Sequence, residues 1–353
     1  MSGPPPGYFD PPPRVPEVPD SPAYADIVEE LSHLVAEPEP ETGLLFHYTS
    51  LQALYGILEA KAIWCTEIGY LNDRREQDEF RQLMNEFVAV EATGGPMAPQ
   101  RPSCKAGGYL IAKGQLLAKL KSFVQRQLEI PKFVFSLTTE HDQLSQWRGY
   151  ARSDGVAIGF CWRTLRDIAE SRRYIFARCG YTEFDVQRVQ QQVYGNPAEF
   201  PSEKQDVAER MLARIRNLKV NVWQSDANVS AAYLQRLAYL APIAKDYGFH
   251  EEREWRIFAV DGISCLDEFV YHPRRDQLIK RAVLGIATDG PYATPIRQVV
   301  LSPALSADDN AVSRIVENLN RHAARVGHHG FAAEQEPPPG KAKVVLSGIP
   351  LRE

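Results

Sequence analysis

Two short segments, Phe46-His47-Tyr48-Thr49-Ser50 and Glu252-Arg253-Glu254-Trp255-Arg256, lie far apart in the chain. Each is a short apolar stretch carrying polar groups that an ordinary core strand does not need. On a strand, alternate side chains share a face, so such a segment can bury one set and present the other to a ligand. A fold that uses both in this way must bring the two ends of the chain together around one cleft.

Local patterning supplies the surrounding elements. Leu44 to Tyr48 reads as a strand, with Thr49 or Ser50 as the N-cap of a helix over Leu51 to Lys61 whose Leu54, Ile57 and Leu58 form an apolar stripe. Ala62 to Ile68 predicts a second strand, closed by a turn at Tyr70-Leu71-Asn72-Asp73, and Glu76 to Val90 an amphipathic helix. Residues 93–108 read as an exposed loop, Leu116 to Leu128 as a helix, and Lys132 to Leu137 and Gly155 to Phe160 as strands. Between those two strands, Leu144 to Ala151 carries Ser145, Trp147, Arg148 and Tyr150, a segment equipped to hold a planar ring. Pro201 to Leu240 has the periodicity of an inserted helical hairpin, and Glu254 to Val260 reads as a strand. Strands at 282–286, 299–301 and 343–347, with an amphipathic helix over Asp308 to Val326, predict a closing strand–helix–strand addition.

Composition narrows the class. A chain of 353 residues with 44% hydrophobic and 24% charged residues is long enough for one large domain or two small ones. A net charge of −5 gives no bulk attraction to nucleic acid, although a local basic groove remains compatible with it. Five scattered cysteines without a C-x-x-C pair argue against a disulfide framework and a zinc site, so the cytoplasm is the expected compartment. No apolar run reaches the ~18 residues that span a bilayer and no leader pattern opens the chain, so no membrane association is expected. Residues 1–22 hold nine prolines and predict an extended, disordered tail; the spacing of Pro13 and Pro16 suits an aromatic-groove domain. The expected organisation is this tail, a short helix and linker over 23–42, a main domain over 43–262 with a helical insertion around 201–240, and an αβ extension over 263–353 packed on the same domain.

The order of motifs resembles the bacterial domain-of-unknown-function family DUF2971. The pieces are Phe46-His47-Tyr48-Thr49-Ser50, the Trp64 strand with Tyr70-Leu71-Asn72-Asp73 and Glu76, and Phe135-Ser136-Leu137-Thr138 with Ser145 to Ala151. Gly155 to Phe160, Glu252 to Ile257 and Ser347 to Arg352 complete the match over about residues 43–352. More distantly, the succession of a His-bearing first strand, an aromatic helical turn and a late strand entered by glutamate is similar to the His-Tyr-Glu ADP-ribosyltransferases. That resemblance implies an α+β fold: a split, mainly antiparallel β core of ADP-ribosyltransferase type, with flanking and inserted helices and a C-terminal strand–helix–strand extension.

It also implies roles, with NAD as substrate. His47 matches the histidine that holds the adenosine-side ribose, and Glu254 the glutamate that stabilises the ribosyl cation. Tyr150 is the first choice for the nicotinamide stack, with Trp147 and Tyr70 as alternatives; Ser145 matches the serine that binds the nicotinamide amide, and Tyr48 and Thr49 flank the same strand. The toxin-type S-T-S triplet is absent. The acceptor is a protein or nucleic acid, and a toxin–antitoxin or phage-defence setting would bring an antitoxin or immunity partner.

The chemistry fits these residue types. Cleaving the nicotinamide–ribose bond develops an oxocarbenium ion, against which a fixed carboxylate acts mainly in the transition state. Glu252, two residues from Glu254, falls on the same face if both lie on a strand; the like charges would then raise one pKa and make Glu252 a candidate base. Plainer readings stand beside these. His47 can be a strand-end histidine, Trp147 and Tyr150 core aromatics, and Glu252-Arg253-Glu254 a solvated charge run. A non-catalytic nucleotide-sensing module and a metal-dependent nuclease drawing on Asp73, Glu76, Glu252 and Glu254 are the alternative functions, although no metal site is expected.

Overall fold

The computed structural model of the chain describes residues 22–34, 40–71, 80–81, 122, 125–151, 155–182, 235–236, 238–274, 277–288, 293–307, 309–328, 330–333 and 341–349. The proline tail over 1–21, the Asn72-Asp73 turn, the 93–108 loop, most of the helices expected over Glu76 to Val90 and Leu116 to Leu128, and most of the 201–240 insertion lie outside them.

The first strand, β1 (Leu44–Ser50), leads directly into helix α2 (Leu51–Ala60), and Ser50 makes the junction: its hydroxyl accepts the Ala53 N–H at 3.1 Å. The helix ends where Lys61 takes a left-handed conformation, φ +46°, turning the chain into β2 (Ala62–Glu67). Ahead of both, α1 (Pro22–Leu34) buries Ile27 and Leu31. Next come β3 (Lys132–Thr138), β4 (Gly155–Cys161), helix α3 (Trp162–Ser171) and β5 (Ile175–Arg178). Two three-residue strands, β6 (Gly180–Thr182) and β7 (Ala244–Asp246), pair with each other apart from the main sheet. The chain closes with β8 (Glu254–Val260), β9 (Phe269–Arg274), β10 (Gln277–Gly285), β11 (Ile296–Leu301), helix α4 (Asp309–Val326), β12 (Phe331–Ala332) and β13 (Ala342–Leu346).

Eleven of these strands form one mixed, mostly antiparallel sheet in the order β12-β13-β11-β4-β1-β3-β2-β10-β9, with β8 beside β3 and β5 beyond it. The fold is α+β. The closing strand–helix–strand is present, with β11 and β13 parallel on either side of α4 in sequence, as such a crossover requires. Strands β9, β10, β11 and β13 from the C-terminal part share this sheet with β1 to β4.

One face of the sheet is the main core. Leu45, Phe135, Ile158, Ile257 and Val299 meet Leu54 and Leu58 of α2, Leu165 and Ala169 of α3, and Leu319 and Ala323 of α4. The other face carries a smaller cluster, Phe46, Tyr48, Ala157 and Val300 under Trp147 and Ala151. Two glycines of β4 permit that second layer. A Cβ on Gly159 would lie 2.7 Å from the Phe46 ring, and one on Gly155 would overlap the Ala151 carbonyl.

What positions the site is a split at β3. One edge of β3 pairs along its whole length with β8, from Lys132 opposite Val260 to Thr138 opposite Glu254. The other edge is shared: Thr138 pairs with Phe46 of β1, while Phe133 and Val134 pair with Glu67 and Thr66 of β2. Between those contacts β1 and β2 diverge, and α2 bridges them. The gap is a cleft.

Candidate functional site

The cleft has a volume of about 670 Å³. Its walls are β1, β2 and α2, its back is the open edge of β3, and Glu254 and Arg256 of β8 reach it. Because it is a gap in the sheet, it takes side chains from both faces.

His47 sits where β1 leaves β3. At this point the Ser136 carbonyl has lost a strand partner, and His47 Nδ1 lies 2.9 Å from it. A carbonyl can only accept, so Nδ1 carries the proton and Nε2 is the ring's acceptor. The ring stacks on Phe135 at 4.3 Å between centroids, and burial lowers its pKa to about 4, against a smaller upward pull from the Ser136 hydrogen bond. The imidazole on the cleft wall is therefore neutral at pH 7.

Glu254 is 4% exposed and ionised. Burial alone would raise its pKa, but Arg256 and Lys245 outweigh burial and hold it down at about 2. Arg256 Nε donates to Glu254 Oε1 at 2.7 Å; Lys245 Nζ and Arg256 Nη2 donate to Oε2 at 2.5 and 3.1 Å. Lys245 also bonds Glu252 Oε2 at 2.5 Å, and Arg256 Nη1 donates to the Pro242 carbonyl at 2.6 Å. Two cations and two carboxylates thus form one unit beside the cleft. Tyr181 anchors it from β6, accepting the Glu254 N–H at 2.7 Å.

Glu252 and Glu254 do not stand as alternate residues of one strand. Glu252 closes a 3₁₀ turn over Tyr247–Glu252, Arg253 is left-handed at φ +43°, and the strand begins at Glu254. Arg253 is exposed and bonds Glu140, while Trp255 turns into the main core. The expected mutual repulsion of the two carboxylates is replaced by a shared ammonium. Glu252 lines a small side pocket of about 70 Å³ whose other walls include His47, Tyr48, Tyr150 and Glu254.

The Leu144–Ala151 segment begins as an α-turn over Leu144–Gln146 and widens into a π-helical turn over Trp147–Ala151. The wider i→i+5 turn rotates less per residue than an α-helix, so three residues do not bring Tyr150 back to the face of Trp147. Trp147 accordingly faces inward, in contact with Tyr48, its indole N–H bound to Asp142 at 2.7 Å. Tyr150 faces out at the cleft, 45% exposed. Ser145 is exposed and off the cleft wall. Tyr48 touches the cleft, but its hydroxyl is committed to the loop before this turn: it donates to the Glu140 carbonyl and accepts the Gln143 N–H, both at 2.9 Å. Thr49 and Tyr70 also line the cleft.

The structure thus brings together His47, Tyr48, Thr49, Tyr70, Tyr150 and Glu254, with Glu252 adjoining, and leaves Trp147 and Ser145 aside. Sequence reading assigned no role to Lys245, Ser136, Trp64, Arg281 or His272. Arg256 had a signal: it lies two residues after Glu254, on the same strand face. Lys245 had none, because a three-residue strand has no readable period. Of the carboxylates a nuclease would use, Asp73 and Glu76 lie outside the described residues, and Glu252 and Glu254 are both bound to Lys245.

The class is therefore an α+β protein with a split mixed sheet and a ligand-sized cleft at the split. Residues 146–257 match the model of a family described as a protein of unknown function (DUF2971), a span that holds Tyr150, Lys245, Glu254 and Arg256 and leaves out His47. Neither the curated proteins nor the solved structures give a match. Among the described residues no helix is long and apolar enough to cross a membrane.

Proposed function

We propose that the cleft binds NAD and that the protein is an ADP-ribosyltransferase of the His-Tyr-Glu kind, acting on a protein or nucleic-acid acceptor. The observation that carries this reading is the convergence of His47, Tyr150 and Glu254, from three separate parts of the chain, on one cleft of about 670 Å³, within the size range of small-molecule sites. His47 offers a neutral acceptor nitrogen to a ribose hydroxyl, and the Tyr150 ring gives nicotinamide a stacking surface. Nicotinamide leaves with the bonding electron pair, and the ribosyl cation that develops is met by Glu254, which stays ionised throughout. Three cationic donors occupy Glu254, and a carboxylate has room for about four, so one position is left for a ribose hydroxyl. The acceptor nucleophile then bonds to the anomeric carbon and gives its proton to Glu252. An antitoxin or immunity partner and a defence setting go with this reading.

A second reading, nucleotide sensing without turnover, is favoured by one observation. Lys245 and Arg256 already offset the Glu254 charge, which weakens its stabilisation of a cation. Nicotinamide release from NAD, with label transfer into protein and nucleic-acid fractions, separates the two. We expect release by the wild type and a fall of about ten-fold in Tyr150→Ala, whose exposed position leaves the melting temperature unchanged. Binding of NAD without release selects the sensor, and absence of binding removes both.

A further inference from the structure

The cleft wall facing β1 is built from β2, β9 and β10, and three of its side chains have no role in the reading above. Trp64 stands in the middle of β2 with 41% of its surface exposed, although Ile63 and Cys65 on either side are fully buried. Strand alternation explains the direction but not the choice of residue, because a solvent-facing strand position does not call for the largest aromatic. The register places Arg281 opposite Thr66 on one side and Val270 on the other, with His272 opposite Ile279, so Trp64, Arg281 and His272 share one face. The Arg281 guanidinium carbon lies over one face of the Trp64 ring, 5.5 Å from its centroid, and the His272 ring is tilted at 44° with its centroid 6.5 Å away. All three line the cleft.

An indole with a guanidinium over one face and 41% of the side chain still exposed matches the two ends of a nucleotide. A heterocyclic base stacks on the ring with little loss of side-chain freedom, and a guanidinium offers planar, charge-assisted donors to phosphate oxygens. His272 adds a ring nitrogen at the outer edge, where a base presents its polar rim.

We propose that Trp64, Arg281 and His272 form a base-and-phosphate subsite that takes the adenine ring of a nucleotide and its adjoining phosphate, while Tyr150 and Glu254 take the nicotinamide end of NAD. The subsite deepens the NAD reading and rests on it for the identity of the ligand. Dissociation constants for NAD, AMP, adenosine and nicotinamide mononucleotide test it in the full chain, with Trp64→Ala, Trp64→Phe and Arg281→Gln compared with the wild type. Trp64→Ala weakens NAD and AMP about ten-fold and leaves nicotinamide mononucleotide unchanged, and Trp64→Phe, which keeps a ring, restores most of the loss. Arg281→Gln weakens AMP more than adenosine. Equal AMP affinity in Trp64→Ala and wild type, or no AMP binding by the wild type, overturns the subsite. NAD binding that ignores Trp64 removes the subsite and keeps the NAD reading; AMP binding that depends on Trp64, with NAD neither bound nor cleaved, keeps the subsite and removes the NAD reading.

Discussion

Lys132 and Lys245 are both withdrawn from solvent, at 0% and 4% exposure, and each costs the fold the desolvation of an ammonium group. Their surroundings differ in kind. Lys132 Nζ donates to the carbonyls of Gln127, Leu128 and Ile130 at 3.3, 3.2 and 3.0 Å, closing off the helical segment 125–129. Those carbonyls have no following helical turn to bond, and the negative end of the helix dipole favours a cation there. Burial brings the Lys132 pKa down to about 8. Lys245 instead joins two carboxylates that border an open cleft. The contrast separates two uses of buried charge: a cation bound to backbone carbonyls completes local structure, whereas one bound to side-chain carboxylates belongs to a network whose remaining acceptor positions a ligand can reach.

The sharpest way to break this comparison is to take one charge from the Lys245 network. Glu254→Gln keeps the side-chain shape but leaves Arg256 and Lys245 facing one carboxylate instead of two. Removing one partner of a buried ion pair costs about 3–5 kcal/mol, and urea unfolding of the variant should show a loss of that size. A loss below about 1 kcal/mol would mean that the four groups do not act as one charge unit.

Lys132→Met comes next. It orphans three carbonyls but also removes the cost of burying the ammonium, so the expected loss is smaller, about 1–3 kcal/mol. NAD affinity should stay at the wild-type value, since Lys132 is not on the cleft wall. A change in affinity without a change in stability would place Lys132 in the site and erase the distinction.

The same contrast explains what the sequence disclosed. The β1 strand, a cap at Thr49 or Ser50, the α2 stripe and the closing strand–helix–strand unit were legible because hydrophobic period and capping chemistry are local properties. The sharing of one β3 edge by β1 and β2 was not, since no residue of β3 records which of two strands it meets. Helix α3 went unread although Trp162, Leu165 and Ala169 recur at helical spacing with charged residues between them, the pattern of an amphipathic helix. The inward Trp147 and outward Tyr150 depend on a π-turn, and the separation of Glu252 from Glu254 on a left-handed Arg253, neither of which a hydrophobic pattern encodes. His47, Tyr150 and Glu254 could be named from sequence and Arg256 carried a signal two residues after Glu254, while Lys245, the other cation that sets the state of Glu254, had none.

The smallest expected effect uses pH to tell His47 from the charge network. The folded-state pKa of His47 is depressed to about 4, below the ordinary 6.5, so below pH 6.5 the unfolded chain takes up a proton that the native imidazole refuses. Stability from this residue is complete above pH 6.5 and falls as the pH drops from 6.5 towards 4. Glu254 is depressed from 4.5 to about 2, so its contribution is intact above pH 4.5 and is lost only between 4.5 and 2. The two windows barely overlap. Between pH 6.5 and 5.5 one such histidine removes about 1 kcal/mol, and His47→Gln should flatten the wild-type stability profile by that amount in this interval alone. Glu254→Gln, less stable throughout this range, should keep the wild-type slope in the interval and change the slope only below pH 4.5. If His47→Gln keeps the full wild-type slope between pH 6.5 and 5.5, the native imidazole takes up its proton as readily as the unfolded one, and burial does not hold it neutral.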